Sequence, residues 1–258
     1  MTDMLWHKSW LETRSRFLVG LVLLTIMTCG TVFEYPTAAA LMPLARELKA
    51  SGTVGRLVKE AIDIERDYRG YIWTQLFRQN LSQMATLFAA LLGSGGLLAQ
   101  RSGAGALFTL SLPVSRSHVL RVRTATGLAE LIAIAIVPSL VVPLLSPSIG
   151  QTYGIGEALV HGLCAFVGAA VFLSLACWLS TVFSDMWRPL LLTCTAAILI
   201  AGLEFVSRDT PVSGVFSVMT GQRYFQSGQI PWLGGAVCLA ASAGMFLLAE
   251  RGLERCDF

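Results

Sequence analysis

The chain has 258 residues and a formal charge of +3, and apolar residue types make up 54% of it against 14% charged, where an ordinary soluble domain carries roughly 25% charged. Its mean hydropathy is +0.65. These figures exclude a disordered protein, a nucleic-acid-binding domain and most soluble enzymes, and they indicate an all-α, polytopic membrane protein.

Residues 4–16 come first. Met4, Trp6, Trp10, Leu11 and Phe17 fall on one helical arc, with Lys8, Glu12 and Arg16 off it. The pattern predicts an interfacial helix over about 4–16, anchored by tryptophans, that then turns into the membrane. The alternative is a straight extension of the first span. A bilayer-crossing helix needs about 20 mostly apolar residues, and six segments qualify: Phe17–Tyr35, Trp73–Ala99, Thr124–Ser146, Ala158–Ser180, Pro189–Val206 and Trp232–Ala249. The second is the least clean, since Arg78, Gln79, Asn80, Ser82 and Gln83 interrupt it. The third contains Pro138 and Pro143, which predict a kink or an early end.

Between the first two spans, residues 36–72 form the longest connection. Leu41, Leu44, Ala45 and Leu48 have helical spacing, as do Val54, Leu57, Val58, Ala61 and Ile62, and Ser51-Gly52 separates the two groups. This predicts two short amphipathic helices on the outer membrane surface. The whole chain, 1–258, reads as a single transmembrane domain.

Orientation follows from Lys and Arg beside the helix ends. Six spans put both termini on one side. The connection between spans two and three, Gln100 to Arg123, belongs to that side and holds Arg101, Arg116, Arg121 and Arg123 with no acid. The opposite long loop mixes its bases with Glu47, Glu60, Asp63, Glu65 and Asp67. Both termini are therefore expected in the cytoplasm, with the protein in the cell's inner (cytoplasmic) membrane.

Catalytic motifs are scarce. None of Lys8, Lys49 and Lys59 follows a glycine, so the chain has no phosphate loop and is not itself an ATPase. It lacks a His-Glu-x-x-His zinc helix and a Gly-x-Ser-x-Gly elbow. The cluster Gly93-Ser94-Gly95-Gly96 reads as close helix packing rather than as an intramembrane serine protease. The six cysteines have no Cys-x-x-Cys spacing and imply neither metal nor disulfide. An acid inside a span is the usual pointer to function. Glu130, seven residues past Arg123 and so ~10 Å along a helix, either lines a pathway or reaches back to the cytoplasmic face.

The most informative stretch is the loop 100–123. Ala104–Leu110 is apolar between charged ends, Leu112-Pro113 breaks the chain direction, and Ser115 is placed to cap a helix that begins at Arg116 and continues into the third span. A short apolar helix on the cytoplasmic side needs a surface to bury it.

Leu110-Ser-Leu-Pro-Val-Ser-Arg116, following a second span and the Gly105-Ala-Leu107 turn, resembles the signature loop of ABC-2 type transporter permeases. Those read Glu-x-x-x-Gly-Thr-Leu, then Leu-Ser-x-Pro-Val-Ser-Arg, then a Lys; here Gln100 stands near the usual Glu, and Arg121 and Arg123 stand near the usual Lys. The resemblance extends in outline over nearly the whole chain, from the basic N-terminal segment to six spans and a short tail. It implies an exporter half that works with a second permease subunit, identical or not, and a separate cytoplasmic ABC ATPase. ATP and Mg would sit on that ATPase, and this chain would bind no cofactor directly. Leu107, Phe108, Leu110, Leu112, Pro113, Val114, Ser115 and Arg116 would form the coupling helix and its exit, seated on the ATPase. The resemblance also implies that the outer loop 207–231, with Phe216, Met219, Tyr224 and Phe225, partly re-enters the outer leaflet. Two readings from other classes compete. One is a non-transporting membrane anchor or regulator that recruits a cytoplasmic ATPase. The other, an intramembrane enzyme, lacks paired catalytic residues.

Overall fold

The computed structural model describes residues 2–47, 63–95, 116–183, 185–207 and 214–255. No strand occurs among them. Helix α1 runs Thr2–Glu47. A continuous helical rod follows, made of α2 (Tyr68–Ile72), a π-helical segment (Trp73–Leu81) and α3 (Ser82–Ser94). Then come α4 (Arg116–Leu145) with a 3-10 turn (Ser146–Ile149), α5 (Ile155–Val182) and α6 (Trp187–Val206). Two short helices, α7 (Val215–Met219) and α8 (Gln222–Ser227), precede the last helix, α9 (Trp232–Arg255).

Five helical stretches among the described residues are long and apolar enough to cross a membrane: Leu5–Leu41, Ser117–Ile149, Ile155–Val182, Trp187–Val206 and Trp232–Gly252. They fit a multi-pass membrane protein. Their outer faces carry the apolar residues that lipid requires: Leu18, Val22 and Ile26 on α1, Leu191 and Ile198 on α6, and Leu233 and Val237 on α9 are all exposed.

The expected second span does not meet that standard. Its first half is the π-helical segment, which carries Gln75, Arg78, Gln79 and Asn80, and these lower its hydropathy. The segment is nonetheless helical and central. Leu76, Phe77, Leu81, Ala85 and Ala89 are buried, and α3 packs along α5. Gly93 is what permits that approach, since a Cβ there would lie 2.6 Å from the Ala176 Cβ.

The interfacial helix expected over 4–16 is not a separate element. α1 is one helix through Glu47, 46 residues and so about 69 Å long. No Gly or Pro falls between Met4 and Val19 to break it. Leu5, Ser9, Thr13, Phe17, Gly20, Leu24 and Thr28 are buried at spacings of three and four, which is one continuous helix face laid against α4. Packing therefore selects the straight extension. The same helix takes in Leu41 and Leu44, the start of the expected outer loop 36–72; the second amphipathic group, Val54–Ile62, lies outside the described residues. α4 likewise runs through Pro138 and Pro143 to Leu145 without ending early. The loss of amide donors at two prolines is tolerable where the helix is packed on its neighbours. α4 does start at Arg116, as the sequence predicts.

Helix direction alternates along the chain. Arg16 of α1 meets Leu91 at the end of α3, and Arg121 at the start of α4 meets Glu250 at the end of α9. At the opposite end Tyr35 of α1 packs on Tyr68 and Tyr71, and Tyr68 bonds Ser146 beyond α4. The start of α1 and the end of α9 thus share one end of the bundle.

Candidate functional site

Two polar clusters sit at opposite ends of this bundle. The first gathers arginines around the end of α3. The last four carbonyls of a helix have no partner within it. Arg16 Nη1 donates to one of them, Leu91 O, at 3.0 Å, while its Nη2 lies 2.9 Å from Met186 Sδ at the start of α6. The Arg123 guanidinium lies directly over Gly95, where any Cβ would collide with it. Arg123 also approaches Glu12 at 3.8 Å. Two cations thus cover the negative end of the α3 dipole, at the residue from which the 96–115 segment departs. Arg121 Nε bonds Glu250 Oε1 at 2.6 Å, so the first two turns of α4 tie α1, α3 and α9 together.

Glu130 belongs to this cluster. It is 2% exposed, and its Oε1 accepts a short hydrogen bond from Thr13 Oγ1. The carboxylate is therefore turned into the α1–α4 contact. Its Oε2 and the Ser9 Oγ, one turn from Thr13, are buried without a hydrogen-bond partner. Of the coupling residues read from the sequence, Leu107, Phe108, Leu110, Leu112, Pro113, Val114 and Ser115 lie outside the described residues. Arg116 is the first residue of α4.

The second cluster is aromatic. Tyr68 and Ser146 hydroxyls lie 2.7 Å apart, and Ser146 Oγ in turn donates to Val142 O at 2.7 Å. Trp73 stacks on Phe225 at 4.3 Å and 5°, and its Nε1 donates to Thr220 O at 3.0 Å. Arg69 lies over the Phe225 ring and pairs with Glu157 at 2.8 Å. Burial pushes the Tyr153 phenol above its ordinary value, and nearby Glu157 adds to the shift. Burial also raises the Glu65 carboxyl, against the Gln75 hydrogen bond and the charge of Arg78.

His161 is the centre of this end. It is 1% exposed and stacks on Phe77 at 4.6 Å, with Tyr224 at its edge. Neither ring nitrogen makes a well-formed hydrogen bond; the Thr220 carbonyl beside it accepts from Trp73. Gly221, at φ 62°, lets the α7–α8 turn close over the ring. Met219 packs the same turn onto Gly168 of α5. Glu204, at the end of α6, accepts hydrogen bonds from the Phe216 and Ser217 amides at 3.0 and 3.1 Å, which satisfies the first free donors of α7. Of the four residues expected to re-enter the outer leaflet, Met219 is buried, and Phe216, Tyr224 and Phe225 are half-buried or in ring contact. They form a folded hairpin seated on the bundle.

The chain matches no protein-family model, no curated protein and no solved structure.

Sequence reasoning missed the arginine pair at Gly95. The signal was present in part: Arg16 and Arg123 each stand just outside an apolar run, where a cation finds a helix C-terminus. His161 follows Glu157 by four residues in sequence, a spacing that reads as an interfacial pair rather than a catalytic one; in the structure Glu157 pairs with Arg69 and the His161 ring is buried. No group of three or more His, Cys, Asp or Glu among the described residues is placed to hold a metal ion.

Proposed function

We propose that this chain is the permease subunit of an ABC-2 type exporter, which forms the substrate pathway with a second permease subunit and is driven by a separate cytoplasmic ATPase. The observation that carries the reading is the Leu110–Arg116 motif together with its place in the fold. The segment that holds it leaves the bundle at Gly95, under Arg16 and Arg123, and returns at Arg116, which opens α4. Force applied to such a segment reaches α1, α3, α4 and α9 through buried or short polar contacts rather than through slack chain.

In this reading the rod Tyr68–Ser94 is the sixth crossing. It is long enough, about 40 Å at the helical rise, and alternates in direction with its neighbours. Six crossings put both chain ends on the cytoplasmic side, with the arginine cluster facing the ATPase. Glu130 then positions α4 on α1 and does not line the pathway. ATP and Mg are held by the ATPase.

Large apolar side chains on the coupling segment gain about 1.5–3 kcal/mol each on burial, and every 1.4 kcal/mol is a tenfold change in affinity. Replacing Phe108 and Leu112 together by Asp should therefore reduce recovery of the ATPase in a pull-down by more than tenfold, with the permease still monodisperse in detergent. Undiminished recovery of a coupled ATPase with the double variant would remove the coupling assignment. An ATPase that co-purifies but whose hydrolysis answers to no solute in reconstituted vesicles would support the anchor reading instead.

A further inference from the structure

The bundle carries its own ruler for the membrane. From the Arg16–Leu91 contact to the Tyr35–Tyr71 ring contact, α1 advances from residue 16 to residue 35, about 29 Å of helix. That is the thickness of a hydrocarbon core. Within this layer α1, α4, α5, α6 and α9 turn apolar side chains outward, apart from Thr195 and, at the aromatic edge, Glu34. Val22, Ile26, Ile198 and Val237 are each more than half exposed.

The rod departs from that pattern. Arg78, Gln79 and Gln83 are exposed, and Asn80 is half-exposed. Gln83 stands eight residues before Leu91 and Gln79 twelve, hence about 12 and 18 Å into the layer from the arginine end. Polar groups at the bilayer centre are expensive, about 2.5–3.5 kcal/mol for an arginine on insertion scales, and face a bundle interior or water when they occur. The residues themselves sit on or just after the π-helical segment, a geometry that recurs at functional sites. Arg78 lies over the Trp73 ring at 5.6 Å, which holds its guanidinium at one end of the row. Arg78 is a pure hydrogen-bond donor and the amides donate and accept, while Glu65, whose carboxyl feels the charge of Arg78, lies outside the row, half-buried, and accepts from Gln75.

We propose that this row is one wall of a water-lined translocation pathway, completed by the second permease subunit, and that it favours anionic, hydrogen-bonding solutes. The proposal rests on the transporter reading and names the solute class that reading leaves open.

The test is thiol accessibility in the full-length chain, co-expressed with its stand-alone ATPase and reconstituted in phosphatidylcholine nanodiscs. Half-exposed Cys29 and Cys194, and Cys256 near the C-terminus, are first replaced by Ala. Gln79→Cys and Gln83→Cys should then react with water-soluble methanethiosulfonates at least tenfold faster than Val22→Cys or Ile198→Cys at the same depth. After correction for intrinsic reactivity, the sulfonate reagent should outpace the trimethylammonium reagent severalfold, and Arg78→Gln should abolish that preference. If either glutamine variant fails to express, the other decides. Labelling no faster than at the lipid-facing controls, with the ATPase still bound, overturns the row alone. A rate difference with no preference for the anionic reagent overturns the solute class. Fast, anion-preferring labelling without ATPase co-purification leaves the row standing and overturns the transporter reading.

Discussion

Glu130 and Thr13 face each other across the α1–α4 contact, and the energetics of that pair follow from what each atom loses. A buried group left without its partner costs about 1–3 kcal/mol, whereas an exchange that keeps a hydrogen bond costs much less. Glu130→Gln keeps an acceptor for the Thr13 hydroxyl and removes a charge from a site that is 2% exposed. Its melting temperature and transport should match those of the parent. Glu130→Leu removes the side-chain acceptor and leaves the Thr13 hydroxyl its backbone acceptor, Ser9 O at 3.1 Å, so the melting temperature in detergent should fall, but by less than a fully stranded hydroxyl would cost. A large transport defect in Glu130→Gln at normal expression would return Glu130 to the pathway. Gly221 is the opposite case, in which a backbone conformation is at stake. Its φ is 62°, and an added Cβ would lie 2.6 Å from His161 Nδ1. Left-handed backbone costs a residue with a side chain about 1–2 kcal/mol, and the contact adds to that. Gly221→Ala should therefore destabilise the α7–α8 turn. Combining it with His161→Ala should recover part of the loss in a thermal melt, since the ring it strikes is gone. Equal melting temperatures for Gly221→Ala and the parent would refute this packing.

At the scale of elements, long runs with clear periodicity were legible and interruptions were not. Four of the apolar segments, Phe17–Tyr35, Ala158–Ser180, Pro189–Val206 and Trp232–Ala249, lie inside helices that the structure shows. The third lies there too, apart from its last residue, Ser146, which begins the 3-10 turn. The misreadings came at apparent breaks. Prolines 36 and 43 stand within α1, and 138 and 143 within α4, and none of them ends its helix. Arg78, Gln79 and Asn80, which interrupt the second span in sequence, lie in a helix of π geometry, Trp73–Leu81, and nothing in local composition distinguishes i→i+5 from i→i+4 bonding. Long-range caps were also invisible. Glu204 binds amides twelve and thirteen residues later, beyond the reach of any capping motif. It fixes where α7 starts, so the hairpin should loosen when its charge is removed. Glu204→Gln retains one acceptor but loses the attraction of a carboxylate to a helix N-terminus, about 0.3–1 kcal/mol, and one of its two bonds. Hydrogen exchange at Phe216 and Ser217 should accelerate severalfold, with exchange in α5 unchanged. Exchange at Phe216 and Ser217 equal in Glu204→Gln and the parent would show that the cap does not hold the hairpin.

At the scale of the molecule, the question is which end of the bundle faces which compartment. Glu12 of α1 and Glu250 of α9 each meet an arginine within the first eight residues of α4. The two ends of the described chain therefore lie in one layer. An odd number of crossings would separate them, whereas the rod as a sixth crossing keeps them together. The arginine end holds Arg14, Arg16, Arg121, Arg123, Arg188 and Arg251 near helix ends, the distribution of a cytoplasmic face. The aromatic end holds Tyr35, Tyr68, Tyr71, Trp73 and Tyr153, rings of the kind that settle at a membrane–water boundary. Impermeant maleimide added to intact cells should label Ser148→Cys and Ser227→Cys, which are exposed at the aromatic end, and should spare Ser15→Cys and Arg251→Cys until the cells are opened. Labelling of Ser15→Cys and Arg251→Cys from outside would invert the orientation and place the Leu110–Arg116 segment beyond the reach of any cytoplasmic ATPase. Labelling of one and not the other would show that the rod does not cross. In either case the exporter reading fails at its geometry before any solute is tried.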